Sequence, residues 1–127
     1  MVERVFRVLD MAKKESRELV TFKREFERYQ NLFGLTGYKI YFEHVPLNDN
    51  FAQINCNQHD MCAAVRLNSE PHPAIKSHSN PKRSAKHEAI HLMLNKITDL
   101  ATQRYIKQGE IYEAEEELVY KLENLIP

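Results

Sequence analysis

Residues 87–91 read His-Glu-Ala-Ile-His, two histidines four apart with a glutamate directly after the first. On a helix, positions four apart lie about 40° round and about 6 Å along one face, so two imidazoles can share one ion. Neutral imidazole nitrogen is a good zinc ligand. A zinc ion with three protein ligands keeps a position for water and lowers the pKa of that water towards ~7. Glu88 sits about 100° round from His87, where a base for that water belongs. It would take the proton as hydroxide attacks a peptide carbonyl and deliver it to the leaving amine. The competing reading is a pair of core histidines satisfied by backbone or carboxylate, with Glu88 on the surface.

The chemistry requires a helix, and one is expected from about Pro81 to Thr102. Asn80 is placed as its N-cap and Pro81 at the first helical position. On a wheel with His87 at zero, His91, Leu94, Ile90 and Thr98 cluster on the same side. That predicts that both histidines point into an apolar face. No histidine follows His91, and Leu94 and Ile97 stand where an HExxHxxGxxH pattern needs Gly and His. A third ligand from downstream must therefore be a carboxylate. A last helix is expected from about Glu110 to Leu125, with candidates Glu110, Glu113, Glu115, Glu116 and Glu117. Glu115 centres a stripe of Ile111, Tyr112, Leu118, Val119, Leu122 and Ile126, whereas Glu116 is about 100° away. A lone carboxylate inside an apolar stripe is costly unless it binds a cation. The stripe favours Glu115, with Glu116 as the alternative.

The remaining elements frame this pair of helices. Val2, Val5, Phe6 and Leu9, then Leu19, Phe22, Phe26, Tyr29 and Phe33, recur at helical spacing across residues 1–35, as one helix or two with a break near 12–15. Met11 opens an equally plausible start. Gly34 and Gly37 stop the pattern. Strands are expected at 38–45, 51–56 and 61–67, the last two joined by a turn at Asn57-Gln58-His59-Asp60. The prediction is an α+β chain with one antiparallel sheet of about three strands, followed by a polar connector over 68–80.

The chain has 127 residues, which fits a single domain over 1–127. Eighteen Lys and Arg balance eighteen Asp and Glu, for a net charge of +0, so composition offers no argument for nucleic acid or an anionic membrane surface. No apolar run reaches the roughly 18 residues of a membrane span. The charged N-terminus lacks the apolar core of a signal peptide. Two cysteines, Cys56 and Cys62, cannot build a disulfide framework, so a reducing cytoplasm is expected. With 3 glycines, no glycine-rich phosphate loop occurs.

The run AAVRLN, a polar connector, AKHEAIHLMLNKI and then EAEEELVYKLENLI, over about residues 38–127, resembles the gluzincin type of zinc metallopeptidase. The likeness is to the minigluzincin group and phage metallopeptidases, with their zincin-like fold. It implies His87, His91 and Glu115 as zinc ligands and Glu88 as general base. The activity implied is zinc-dependent hydrolysis of peptide bonds; the alternative is a zinc-binding regulatory or interaction module with little turnover. The resemblance also implies an edge strand that holds an extended peptide or protein substrate by β-augmentation. Residues 61–67 are assigned to it, with Ala63, Ala64 and Val65 as the contacts. Tyr105, Tyr112, His72 and His78 are candidates for stabilising an oxyanion. Elsewhere, Cys56, His59 and Cys62 form half of a possible second metal site. They read better as sheet cysteines and a turn histidine. Lys82, Arg83 and Lys86 make a small basic patch, read as a solvated face.

Overall fold

The computed structural model describes residues 15–77 and 79–125. The helical reading of residues 1–14, the side chain of His78 and position 126 of the C-terminal stripe lie outside them. The order is α1 (Arg17–Leu32), β1 (Lys39–Val45), β2 (Ala52–Asn57), β3 (Cys62–Asn68), α2 (Pro73–Lys76), α3 (Pro81–Thr102) and α4 (Gln108–Leu125). This is a mixed α+β chain with a small three-stranded sheet, as expected.

Helix α1 begins where the Ser16 hydroxyl accepts from the Leu19 amide at 3.1 Å, an N-cap that satisfies an orphan donor. Leu19, Phe22 and Phe26 form its buried stripe. Phe42 of β1 meets the rings of Phe22 and Phe26 edge-on, at 6.3 and 5.5 Å. Edge-to-face contact is favourable because the positive ring edge meets the negative face. After the helix, Gly34 takes a φ of 70°, which a residue without Cβ adopts at little cost. The Gln30 amide then donates to the carbonyls of Leu35 and Tyr38, tying the turn to the first strand.

The sheet order is β1-β3-β2, with β1 parallel and β2 antiparallel to β3. The expected antiparallel sheet is thus corrected to a mixed one. The chain leaves β1, crosses the end of β3 and returns as β2, so the hairpin strand β3 becomes central. Asn68 makes that crossing possible. Its fully buried side chain accepts from the amides of Leu47 and Glu70 and donates to the carbonyls of Leu47 and Asn50. Backbone groups that a crossing loop would otherwise bury without partners are satisfied there.

One face of the sheet carries Ile40, Phe42, Ala63, Val65, Leu67, Ile54 and Cys56 against the helices. The other faces solvent, with Tyr41 half-exposed and Arg66 paired to Glu43 at 2.7 Å. Helix α3 packs on α1 and on β2, and α4 packs on α3. Lys96 of α3 pairs with Glu117 of α4 at 2.6 Å, and Lys121 of α4 donates to the Phe33 carbonyl. Among the described residues, no helix is long and apolar enough to cross a membrane.

Candidate metal centre

Asn80 caps α3 by accepting from the amides of Lys82 and Arg83, and Pro81 follows at the first position. The helix spans the expected residues and carries 87–91 in its N-terminal half. The ring nitrogens Nε2 of His87 and His91 stand 3.2 Å apart. Two ligands of a tetrahedral zinc ion with bonds of 2.0–2.1 Å are separated by about 3.3–3.4 Å. The imidazole pair therefore fits one edge of such a tetrahedron, and it equally fits a hydrogen bond between the rings.

The burial of this helix differs from the expectation. Both histidines are exposed, and the buried side runs through Ala85, Glu88, Ala89, Leu92 and Met93. Apolar residues occur nearly all round α3, so a wheel alone does not select a face. The small side chains of Ala85 and Ala89 decide it, because they offer room on that side for close helix packing. Leu94 is left 37% exposed on the histidine side.

Glu88 is the buried member of the motif, 6% exposed. No hydrogen bond or ion pair reaches it from the described residues. Burial pushes its carboxyl above the ordinary range, and the nearby His87 and His91 pull it partly back. A carboxylate held this way costs stability, so its place beside the imidazoles asks for a chemical reason.

The histidines and Glu88 line a cleft of about 460 Å³ whose opposite wall is β2 and whose far end reaches Asn95 and Thr98. This reassigns the edge strand. Ala63, Ala64 and Val65 lie on β3, which is bonded to β1 on one side and β2 on the other, and Ala63 and Val65 are buried. They have no free backbone edge to offer a peptide. The free edge beside the cleft belongs to β2, and Ala52, Gln53, Ile54 and Asn55 line it.

The third ligand is not brought to the histidines. The buried line of α4 passes through Ala114, and Glu115 is exposed about 100° away. Ile111, Tyr112, Val119 and Leu122, its expected apolar companions, are exposed with it. Glu116 is half-buried. Among the described residues, no group of three His, Cys, Asp or Glu side chains is placed to hold a metal ion. The residues present therefore fit two ligands of a zinc site and not the full set of His87, His91 and Glu115. The same finding leaves Cys56, His59 and Cys62 as free sheet cysteines and a turn histidine.

Of the oxyanion candidates, Tyr105 and Tyr112 are exposed outside the cleft, and His72 caps α2 through Nδ1. The cleft instead holds Asn95, whose amide donates to Gln58 at 2.8 Å while Tyr38 donates to the same oxygen at 2.6 Å. Asn95 lies four residues after His91, so helical spacing alone could have placed it on this wall. Cys56 lines the cleft too. Burial, with a smaller contribution from Glu88, raises its thiol to about 11. Comparison with protein-family models, with curated proteins and with solved structures found no match to the chain.

Proposed function

We propose that the protein is a zinc-dependent peptidase with a zincin-like arrangement, acting on an extended peptide laid along β2. The observation that supports it is the 3.2 Å pair of imidazole nitrogens beside Glu88, a largely buried residue that opens onto the cleft and has no hydrogen-bond partner among the described residues. His87 and His91 would hold zinc, which when bound supplies an activated water and a Lewis acid for the scissile carbonyl. Glu88 would hold and move the proton: its carboxylate would accept one from the attacking water and return it to the leaving nitrogen. The backbone of β2 orients the substrate by strand pairing, with side-chain selection left to alternate pockets along the cleft. Asn95 donates at the far end, fixed by Gln58.

In this arrangement the chain supplies two ligands, and Glu115 or Glu116 joins them only if α4 repacks. The exposure of Glu115 favours a second reading, a zinc-binding interaction module with little turnover. Cleavage of an unfolded protein by the zinc-loaded chain, abolished by chelator and by Glu88→Gln with zinc retained, supports the peptidase. Full cleavage by Glu88→Gln refutes the assignment of the base. Zinc binding without any cleavage supports the module.

A further inference from the structure

The cleft does not end at His87. A second cavity, of about 260 Å³, shares Asn50, Ala52, His87 and Glu88 with the first and continues along α3 past Ser84, Arg83 and Asn80. Its charged lining consists of Glu88 at the junction and Arg83 at the outer end. No carboxylate of the described residues lies within ion-pair distance of Arg83. The neighbouring cations are occupied or turned elsewhere: Lys86 sits 6.0 Å over the Tyr29 ring, and Lys82 does not line the cavity. Asn80 spends its side-chain oxygen on the amides of Lys82 and Arg83, which leaves its amide group as a donor beside the guanidinium.

Direction along the cleft follows from the contacts. Ala52, at the start of β2, shares the cavity with Asn80 and Arg83, whereas Gln58, just past its end, bonds Asn95. A peptide pairing antiparallel to β2, the somewhat more stable arrangement, therefore carries its C-terminal half towards Arg83. Arg83 precedes His87 by one helical turn on the same face, about 6 Å along the axis. An extended peptide advances about 3.4 Å per residue, so that distance is about two residues.

We propose that Arg83 selects an acidic side chain at the first or second position after the cleaved bond. The inference rests on the peptidase reading above, and it names that enzyme's substrate class: extended peptides with Asp or Glu just C-terminal to the scissile bond. The guanidinium receives the carboxylate in a two-pronged contact, with the Asn80 amide and Ser84 hydroxyl as further donors.

The test separates binding from turnover. Zinc-loaded Glu88→Gln protein is titrated into fluorescently labelled eight-residue peptides that differ only in Asp or Lys at one position, followed by anisotropy. The Asp peptides should bind about fivefold more tightly at low salt, with the advantage lost in high salt. Arg83→Ala should remove the preference and Arg83→Glu should reverse it. Wild-type protein is then incubated with the same peptides, and the cut bonds are mapped by mass spectrometry to one or two residues before the acid. Equal binding of both peptides, no binding of either, a preference that survives Arg83→Ala, or cuts on the other side of the acid would overturn the proposal. Acid-dependent binding through Arg83 without wild-type cleavage supports the subsite and sinks the peptidase reading alone.

Discussion

Replacing Asn68 with alanine should damage the fold more than any other single polar change on the sheet. Its side chain is 0% exposed and makes four hydrogen bonds, to Leu47 twice, to Asn50 and to Glu70. A net contribution of about 1 kcal/mol per bond would sum to ~4 kcal/mol. The loop over 46–51 can move outward and recover water for part of that, so a loss of about 3 kcal/mol is expected. That is a large share of the roughly 5–15 kcal/mol that holds a domain of this kind together. The assay is urea unfolding followed by circular dichroism, with the slope checked for two-state behaviour. Asn68→Asp is the sharper variant. It keeps the acceptor for Leu47 and Glu70 but turns the two donated bonds into a carboxylate facing carbonyls. It should be at least as damaging as alanine at neutral pH and recover partly in acid. A loss below about 1 kcal/mol for both variants would refute the idea that this side chain holds the crossing connection.

Three further outcomes follow from the same structure. Phe26→Ala should lose about 3–5 kcal/mol in urea unfolding, because the ring is fully buried between Phe22 and Phe42. Met61→Gly should raise stability by about 0.5–1 kcal/mol, since Met61 holds a φ of 53° at the hairpin turn, and a lower melting temperature would show that its side-chain contacts outweigh the strain. Cys56 should alkylate slowly: a thiol raised to about 11 is protonated throughout the neutral range, and at pH 8 it carries roughly a hundredfold less thiolate than an unperturbed cysteine. Its iodoacetamide rate should climb tenfold per pH unit up to about pH 10, and a plateau near pH 8 would contradict the burial.

Much of the frame was legible in the residues. Asn80-Pro81 marks the start of α3, because a cap oxygen and a pre-set φ are local properties that tertiary packing does not override. The phenylalanine stripe of α1 and the three strands were equally local. The order of the strands was not. Local alternation finds a strand, whereas its neighbours depend on where the chain crosses, and here the backbone of that crossing is satisfied by a distant buried side chain, Asn68. The near-continuous apolar run of Ala63-Ala64-Val65 was nevertheless a signal for a central strand. The faces of α3 and α4 were illegible for a different reason. Both helices carry apolar residues on more than one side, so the buried line is chosen by small residues, Ala85 and Ala89 in α3 and Ala114 in α4, that allow close approach. Wheels set on His87 and on Glu115 put both histidines and Glu115 on buried faces; all three are exposed, and the buried acid is Glu88.

Zinc titration, by competition with a chromophoric chelator, tests the metal-binding claim most directly. Wild-type protein should take up one zinc ion per chain, His87→Ala and His91→Ala should each weaken binding by at least about tenfold, and Glu88→Gln should leave it intact. If Glu115→Ala also weakens binding, α4 repacks around the ion; if it does not, zinc is held by the imidazole pair without that carboxylate. Failure to bind zinc, or binding that survives loss of both imidazoles, would contradict a metal centre at residues 87–91.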